Sequence, residues 1–457
     1  MSRLNVNKTP TITILGAGYV GLTTGAILAQ SGYQTYLVEP NQERLDIIRS
    51  GKSFFYEKGL DRLIQEGLNK KMLLPTDSYS LSVSQSDIIF SCVGTPDNPD
   101  GSSNLDYIFE AAKTTLEYIK RDTIYVQKST VPVGTGYRLI DIFNQSSFTI
   151  DYLSNPEFLR EGTAIADSLY PDRTVIGGNN ANAINSLIKV YKQIESSRQI
   201  ITKLTGIDQQ SKTCQYITTE INSAELIKVT ANAFLAMKIS FANSIAILSD
   251  RVNADVVEIM DGIGSDLRIG SAFLRAGRGY GGGCFPKDVS GLISSAKEYG
   301  IDLALMQSTQ AINANMPKYI IDKLKDQLTT LNNKQIIILG LSFKSGTSDT
   351  RKSPGIAMAN ICATNQARVT VFDPVVDKNN LNDLDSRIQI ISSISEIPKS
   401  PDAIIVATEW PEFCNLTPSQ IIALLGKKGL LVDAINAYDP KLLVKHHIQY
   451  LGVGRRL

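Results

Sequence analysis

Histidine is almost absent from this 457-residue sequence, because its two histidines, His446 and His447, are adjacent and lie near the C-terminus. A catalytic histidine is therefore excluded from all earlier segments. Proton transfer in those segments falls to Asp, Glu, Lys, Cys, Tyr or water.

Cysteines are few and widely separated, at positions 92, 214, 284, 362 and 414, and none forms a CxxC pair. That scatter argues against a disulfide framework and against a structural zinc site. It also excludes a zinc-dependent alcohol dehydrogenase, which needs clustered ligands. We expect no metal in this protein.

Neither a strong charge nor a long apolar run is present. The net charge of +1 predicts no nucleic-acid partner. No stretch approaches the ~18 uninterrupted apolar residues of a membrane helix, and the first residues lack a signal-peptide pattern. With 43% hydrophobic and 20% charged residues, the composition is that of a globular protein. We expect a cytoplasmic location without a membrane partner.

Strand and helix patterns alternate at both ends of the chain. The segment "TITILGAGYVGLTTGAILAQSGYQTYLVEP" contains a strand, a glycine turn, a helix and a second strand, and further apolar runs follow at 87–94, 123–132 and 151–158. The last third repeats the pattern with "KQIIILGLSFK", a helix that begins at Ser353 and Pro354, and "ARVTVFDP". Such alternation predicts doubly wound parallel sheets.

A long helix is predicted between these two regions. Residues 218–260 contain neither Gly nor Pro and place apolar side chains three and four residues apart. The predicted fold class is α/β, with two Rossmann-like doubly wound parallel-sheet domains joined by a long central helical segment. The predicted domains are an N-terminal Rossmann-like domain at 1–211, a central helical domain with the Cys284 loop at 212–315, and a second Rossmann-like domain at 316–457.

The hexapeptide "GAGYVG" at 16–21 fits a dinucleotide-binding turn. Its first glycine permits the tight turn, its second lets a pyrophosphate approach, and its third lets helix and strand pack closely. About 20 residues further on, Glu39 ends the next strand, where a carboxylate binds ribose hydroxyls and repels a 2′-phosphate. The pattern predicts NAD, although Arg44 stands close by; glycines that serve packing alone are the alternative. The predicted contacts are Gly16, Gly18, Tyr19, Val20, Gly21, Glu39 and Arg44.

Two further loops follow strands of the same predicted sheet, "VGTP" at 93–96 and "STVPVG" at 129–134. The carboxyl ends of parallel strands line the ligand crevice of an open α/β sheet. These loops therefore supply further predicted cofactor contacts: Val93, Gly94, Thr95, Pro96, Ser129 and Thr130.

The stretch "GRGYGGGCFPKD" at 277–288 places Cys284 among glycines. We interpret it as a reactive thiol, because a glycine-rich loop is a poor place for a core cysteine and lets a ligand approach the backbone without a Cβ in the way. A buried free cysteine is the alternative, and we assign it to the other four. On the predicted long helix, Lys228 and Asn232 lie four residues apart and so share one face. An ammonium and an amide together can stabilise an oxyanion; a solvated helix edge is the alternative.

The sequence resembles the UDP-glucose/GDP-mannose dehydrogenase family. The resemblance runs in order, and at family spacing, through "GAGYVG", "STVPVGT", "NPEFLREGTAI", "ELIKVTANAFLAMKISFANSIA", "GYGGGCFPKD" and "GLSFKSGTSDTRKSP". It implies oxidation of a sugar CH2OH to a carboxylate through a thiohemiacetal and a thioester on Cys284, with consumption of two NAD and one water. Within the family it favours UDP-glucose as substrate and UDP-glucuronate as product.

The resemblance also implies roles for individual residues and a homodimer or larger homo-oligomer. Glu157 would be an acid/base that works through a water held by Thr130, and Asp288 would activate the hydrolytic water or accept the thiol proton. The last domain would bind the UDP-sugar. The implied catalytic residues are Cys284, Lys228, Asn232, Glu157, Asp288 and Thr130; further cofactor contacts are Glu161, Lys287 and Arg351; substrate contacts are Glu157, Phe158, Leu159, Arg160, Glu161, Lys228, Asn232, Arg268, Phe273, Leu274, Arg275, Gly277, Gly281 and Lys344.

Several alternatives stay open. GDP-mannose and UDP-N-acetylhexosamine dehydrogenases share these motifs, but the acetamido-sugar enzymes usually carry a histidine where this chain has Gly283. Family members often carry a substrate-binding arginine where this chain has Ile435. The pair Tyr319 and Lys323 has the Tyr-x-x-x-Lys spacing of short-chain dehydrogenases, which we interpret as coincidence. A non-catalytic NAD-binding relative is a further alternative.

Overall fold

The computed structural model describes residues 9–208, 212–426 and 428–456. The ends of the predicted first domain, residues 1 and 211, lie outside these described residues, as does residue 457. The described chain forms two compact units, one up to Thr230 and one from Ala231 onward.

The first unit contains an eight-stranded sheet in the order β3-β2-β1-β4-β5-β6-β7-β8. Its first six strands are parallel and have the order of a dinucleotide-binding domain. Strand β7 is antiparallel to β6 and parallel to β8. The strands are β1 (Ile12–Leu15), β2 (Thr35–Val38), β3 (Leu73–Thr76), β4 (Ile88–Ser91), β5 (Thr123–Gln127), β6 (Ile150–Ser154), β7 (Arg173–Gly177) and β8 (Gln215–Thr219).

Helices cover both faces of this sheet, which is why its strands are apolar on both sides. In β4, Ile88 and Phe90 join one buried cluster while Ile89 joins the cluster on the other face. The helices are α1 (Tyr19–Gln30), α2 (Gln42–Arg49), α3 (Leu60–Asn69), α4 (Tyr79–Val83), α5 (Asp106–Tyr118), α6 (Thr135–Phe143), α7 (Ala164–Leu169), α8 (Ala181–Ser196) and α9 (Arg198–Thr205).

The second unit contains a six-stranded sheet in the order β11-β10-β9-β12-β13-β14, with every pair parallel. Successive side chains of β9 again point to two different buried clusters. Ile336 and Ile338 belong to one cluster, and Ile337 and Leu339 belong to the other. The predicted fold class of two doubly wound parallel-sheet domains is thus confirmed. The strands are β9 (Gln335–Leu339), β10 (Arg368–Phe372), β11 (Gln389–Ile390), β12 (Ala403–Val406), β13 (Leu430–Asp433) and β14 (Gln449–Gly452).

The remaining helices include the predicted long one, which is α10 (Ile221–Val252), 32 residues in length. It ends before the predicted stretch does, because Asn253 has φ +58° and Asp255 caps the next helix. By length and composition α10 is long and apolar enough to cross a membrane. The core helix of a soluble protein can have the same length and composition. The others are α11 (Val256–Gly264), α12 (Phe285–Glu298), α13 (Ala304–Leu328), α14 (Pro354–Thr364), α15 (Pro411–Cys414), α16 (Pro418–Leu425) and α17 (Pro440–Lys445), with short 3-10 turns at Lys378–Asn380 and Ile394–Glu396.

Candidate active site

The dinucleotide turn between β1 and α1 has the geometry that its glycines predict. Gly16 has φ +87°, and a Cβ there would lie 3.0 Å from the Cys92 carbonyl oxygen. A Cβ on Gly21 would lie 1.9 Å from the Gly16 oxygen, so this helix and turn pack too closely for any side chain. A Cβ on Gly18 would meet nothing within 4 Å. That open space beside the amino end of α1 fits a pyrophosphate.

Glu39 lies against this turn. Its carboxylate accepts hydrogen bonds from the Ala17 N–H at 3.2 Å and the Asn41 N–H at 3.0 Å, and the side chain is buried. Arg44 on α2 stacks over the Phe54 ring at 4.9 Å. A carboxylate fixed at the end of β2 is suited to ribose hydroxyls, so the residues present fit NAD.

The other two predicted cofactor loops are bonded to each other. Ser129 Oγ donates to the Val93 carbonyl at 2.7 Å, and Thr95 Oγ1 donates to the Thr130 carbonyl at 3.2 Å. The structure therefore brings these loops together after β4 and β5, with Gly94 and Pro96 beside the bonded residues of the first loop.

A buried ion pair occupies the end of β6. Lys228 Nζ on α10 lies 3.2 Å from Glu157 Oε1, with side-chain exposures of 3% and 8%. The other carboxylate oxygen of Glu157 accepts the Leu159 N–H at 2.5 Å, and the Lys228 ammonium lies 5.3 Å from the centre of the Phe158 ring. Lys228 is thus not part of a solvated helix edge.

The rest of this loop is tied to α7. Arg160 donates to Asp167 through its backbone N–H, Nε and Nη2 at 2.6–3.0 Å. Its guanidinium is therefore paired with a carboxylate of α7. Glu161 is half-buried next to it.

In the second unit, Cys284 is exposed and forms the N-cap of α12, a 14-residue helix. One turn further, Asp288 is buried and accepts from Asn232 Nδ2 at 2.6 Å and from Lys287 Nζ at 2.8 Å. The amino end of a helix favours a thiolate over a thiol. The structure therefore places three predicted residues in one cluster, one helical turn from the cysteine.

The other four cysteines are less exposed than Cys284. Burial raises the pKa of Cys92 and of Cys362 to about 12 and that of Cys414 to about 11, and it also raises the pKa of Cys214. These thiols are therefore poor nucleophiles near neutral pH.

The glycines before Cys284 leave room for neighbouring atoms of this chain, whereas we expected them to leave room for ligands. A Cβ on Gly281 would lie 2.4 Å from the Lys352 oxygen, one on Gly282 2.8 Å from the Phe343 ring, and one on Gly283 2.4 Å from the Arg351 guanidinium. The segment 343–352, which carries the predicted residues Lys344 and Arg351, thus packs directly on the cysteine loop.

The remaining predicted substrate contacts are dispersed. Arg268 is highly exposed and pairs with Asp266, while Arg275 is exposed, and neither joins the Asp288 cluster. Phe273, with φ +64°, lies 6.0 Å from the Phe285 ring. Leu274 belongs to the core of this unit, and the Gly277 N–H donates to Asn243 Oδ1 at 2.8 Å.

Sequence reasoning missed several buried polar residues around these groups. Glu57 bonds to Tyr19, Glu225 accepts the N–H groups of Gly134 and Gly136, and Arg278 donates to the Phe343 carbonyl and to Glu409. Of these residues, only Glu225 could have been identified from the sequence, because it stands three residues before Lys228 on the same helix.

The Tyr-x-x-x-Lys pair has a structural explanation. Tyr319 and Lys323 both donate to Asp250 Oδ2, at 2.6 and 2.7 Å, and Lys323 also donates to the Gly452 carbonyl at 2.7 Å. The pair holds α13 to α10 and to the end of β14, which supports the interpretation of its spacing as coincidence.

Three family domains match this chain in order. They are the NAD-binding, central and UDP-binding domains of the UDP-glucose/GDP-mannose dehydrogenase family, at residues 10–195, 222–315 and 337–440. A UDP-glucose 6-dehydrogenase of Bacillus subtilis is 36% identical over 448 residues, covering 97% of this chain and 98% of its own. One from Rhizobium meliloti is 36% identical over 450 residues, covering 97% and 99%.

Solved structures agree with these matches. The structure of a UDP-glucose dehydrogenase from Pyrobaculum islandicum superposes with a TM-score of 0.86 at 30% identity, covering 98% of this chain and 99% of that one. A UDP-D-ManNAc dehydrogenase from Pyrococcus horikoshii gives 0.82 at 26% identity, with 97% and 99% covered.

Proposed function

Because the chain belongs to the UDP-glucose/GDP-mannose dehydrogenase family and is therefore an NAD-dependent oxidoreductase, we propose that it oxidises UDP-glucose to UDP-glucuronate. The UDP-binding domain match at 337–440 supports a UDP-sugar as substrate. Two relatives at 36% identity over nearly the whole chain bear the name UDP-glucose 6-dehydrogenase, which supports glucose as the sugar.

The observation that carries the proposed chemistry is the placement of Cys284. It is exposed at the amino end of α12, one turn from the buried Asp288, whereas burial raises the pKa of every other cysteine. A thiolate is the form that adds to an aldehyde. We therefore assign the covalent step to this residue.

Two molecules of NAD, bound one after the other, would accept the two hydrides of the proposed reaction. The C6 alcohol loses a proton and a hydride to become an aldehyde, and Cys284 Sγ then forms a bond to C6, which yields a thiohemiacetal alkoxide. Loss of a second hydride from C6 gives a thioester. Attack by water breaks the S–C6 bond and releases the carboxylate and the thiolate.

The buried polar residues have matching roles in this proposal. Lys228, whose ammonium is almost completely buried, would stabilise the alkoxide because opposite charges interact more strongly away from water. Glu157 would exchange protons through a water held by Thr130. Asp288 would activate the hydrolytic water or accept the thiol proton. Asn232 would orient the Asp288 carboxylate through the 2.6 Å hydrogen bond.

Other nucleotide sugars are the alternatives that an experiment must separate. Gly283 in place of a histidine disfavours an acetamido sugar. Ile435, at the position of a frequent family arginine, packs instead against an apolar cluster of the second sheet. Without an arginine at position 435, the site has less positive charge with which to distinguish one nucleotide diphosphate from another.

The test is a panel of UDP-glucose, GDP-mannose and UDP-N-acetylhexosamines, with NADH measured by absorbance and the sugar product by mass spectrometry. We expect two NADH per UDP-glucose consumed, UDP-glucuronate as product and no accumulated aldehyde. Faster turnover of another nucleotide sugar would replace the proposed substrate. No NADH with any of them would support a non-catalytic NAD-binding relative.

We also propose that the protein works in the cytoplasm as a homodimer or larger homo-oligomer. Phe234, Phe241 and Leu248 stand seven residues apart on α10 and are 55%, 47% and 55% exposed, so one helix face presents a row of apolar side chains. Light scattering should show a dimer or larger species that Phe241→Glu dissociates, whereas Leu305→Glu, an exposed position on α13, should not. A monomeric wild-type protein would contradict this assembly.

A further inference from the structure

Tyr19 links the dinucleotide turn to a second loop of the same unit. It is the first residue of α1, directly after Gly18. Its hydroxyl accepts the Gly162 N–H at 2.5 Å and donates to Glu57 Oε2. The Arg160 carbonyl oxygen lies 3.4 Å from the same hydroxyl. Because a phenol has a single proton, the shorter bond to Glu57 is the one that it donates. Tyr19 thus contacts the residues that follow β6 through its side chain, while its backbone belongs to the turn.

Glu57, the acceptor of the Tyr19 hydroxyl, is a buried carboxylate. Its side chain is buried, with 6% of the residue exposed, and among the described residues no Lys or Arg nitrogen forms an ion pair with it. Its second oxygen accepts the Ile165 N–H at 3.3 Å. Burial raises its pKa, while the bonds from Tyr19 and from backbone N–H groups oppose that rise. A buried carboxylate without a cation is costly, so its presence here calls for a functional explanation.

Aromatic contacts attach the Glu57 segment to the cofactor side of the unit. The Phe55 ring lies 4.7 Å from the Tyr19 ring and 5.1 Å from the Phe54 ring. The Arg44 guanidinium stacks on Phe54 at 4.9 Å. A continuous row of packed rings therefore runs from α2, next to Glu39, to the hydroxyl that binds Gly162.

The loop that contains Gly162 is held by hydrogen bonds to Asp167 on α7. Asp167 accepts three bonds from Arg160 and one from the Thr163 hydroxyl, at 2.6–3.1 Å. The 155–162 loop, which contains Glu157 and Glu161, is consequently a stiff unit. Tyr19 and Glu57 bond to its last residue and to the first turn of α7, and so determine where the loop lies relative to the dinucleotide turn.

We propose that Glu57 is a positioning residue: acting through Tyr19, it holds the 155–162 loop against the dinucleotide turn, so that the sugar-binding side of the site is correctly placed when cofactor is bound. This inference rests on the proposed function, because it assigns the loop to a nucleotide-sugar substrate. Glu57 itself touches neither reactant. Its removal should therefore weaken productive sugar binding more than it weakens cofactor binding.

Two substitutions test the link. Tyr19→Phe removes all three bonds of the hydroxyl, to Glu57, Arg160 and Gly162. Glu57→Gln keeps the size of the side chain but has a single acceptor oxygen, so it cannot accept from both the Tyr19 hydroxyl and the Ile165 N–H. Tyr216→Phe is the matched control, since Tyr216 also donates to a carboxylate, that of Glu195, at 2.8 Å in the same unit.

We expect Tyr19→Phe and Glu57→Gln each to raise the KM for the nucleotide sugar about tenfold, as loss of a hydrogen bond to a charged group does. The NADH dissociation constant should stay within about twofold, because Glu57 is not a cofactor contact and Tyr19→Phe keeps both the ring and the backbone of the turn. The double variant should be no worse than the more affected single one. Hydrogen exchange at the amides of Gly162 and Ile165 should accelerate in all three, and Tyr216→Phe should show none of these changes.

Unchanged sugar KM and unchanged exchange at Gly162 and Ile165 would overturn the proposal. Equal increases in the sugar KM and the NADH dissociation constant, or an effect matched by Tyr216→Phe, would indicate general destabilisation and would also overturn it. If Glu57→Gln does not fold, Glu57→Asp, which shortens the side chain by one methylene, provides the same measurements. Exchange and NADH binding need no sugar, so they test the link between Glu57 and the loop even if no nucleotide sugar is oxidised and the proposed function fails.

Discussion

Lys228 and Glu157 form an ion pair at 3.2 Å in which both side chains are removed from water, with exposures of 3% and 8%. They come from α10 and from the loop after β6, which are distant in sequence. Taking two charges out of water is expensive, and a pair of this kind commonly adds little net stability. Its presence is more simply explained by chemistry: a fixed ammonium and a fixed carboxylate can stabilise charge and exchange protons at the same place.

The first prediction separates stability from activity at this pair. Lys228→Met leaves the Glu157 carboxylate buried without its cation, and we expect a loss of about 3–5 kcal/mol in the free energy of unfolding. Adding Glu157→Gln removes the stranded charge and should restore most of that stability. Turnover should be lost in both variants. Thermal denaturation and NADH production measure the two quantities.

The result that would contradict this prediction is specific. If the double variant regained turnover along with stability, the pair would be structural only. Lys212→Met is a suitable control, because Lys212 forms a 3.0 Å ion pair with Asp172 that is 63% and 68% exposed, and exposed pairs contribute little.

The second prediction concerns cofactor choice at Glu39. The carboxylate is held by the Ala17 and Asn41 N–H groups at the end of β2. Glu39→Gln keeps the shape but removes the charge that repels a 2′-phosphate. The KM for NAD should rise about tenfold, as expected for loss of a charged hydrogen bond to ribose, and NADP turnover should improve relative to NAD. Steady-state kinetics with both cofactors measure the ratio, and an unchanged ratio would show that Glu39 does not select the cofactor.

The sequence predicted those features that short-range patterns encode. Ile88, Ile89 and Phe90 form one continuous apolar run, and the structure buries that run on both faces of a sheet as such runs predict. The dinucleotide turn was predicted for a similar reason, since the roles of Gly16, Gly18 and Gly21 depend on local geometry.

Pairings between distant segments could not be predicted in this way. Glu225 accepts N–H groups from residues about ninety positions earlier, at Gly134 and Gly136, and no spacing rule links such positions. The glycines of the cysteine loop show the same limit, because the atoms that exclude a Cβ at Gly283 belong to Arg351. Periodicity identifies a face or a turn, but it does not identify which remote segment will pack there.

The third prediction is that one thiol dominates alkylation at neutral pH. Cys284 is exposed at a helix amino end, whereas burial raises the pKa of Cys92 and Cys362 to about 12 and of Cys414 to about 11. Iodoacetamide should modify Cys284 at least about tenfold faster than any other cysteine, since only the thiolate reacts. Peptide mass spectrometry measures each rate. Cys284→Ala should abolish acid formation and Cys414→Ala should not; faster modification of another cysteine would assign the nucleophile elsewhere.

The fourth prediction is a pH dependence of stability that originates at Glu225. This buried carboxyl accepts the Gly134 and Gly136 N–H groups at 2.7 and 2.8 Å, and burial raises its pKa from 4.5 to about 7. Between these two values the folded protein binds a proton that the unfolded chain has released. Stability from this group therefore falls as the pH rises from 4.5 to about 7 and is constant above that.

Glu225→Gln removes the titration and should remove this component of the slope, which amounts to at most about 3 kcal/mol across the window. Denaturation midpoints at a series of pH values between 5 and 8 measure it, with Glu258→Gln on α11 as a control at a carboxylate for which no such bonds exist among the described residues. The glutamine variant should lose less stability than the wild-type protein as the pH rises. Parallel curves for the two would show that Glu225 is already ionised throughout this range, because its two backbone donors at the start of α6 then outweigh the cost of its burial.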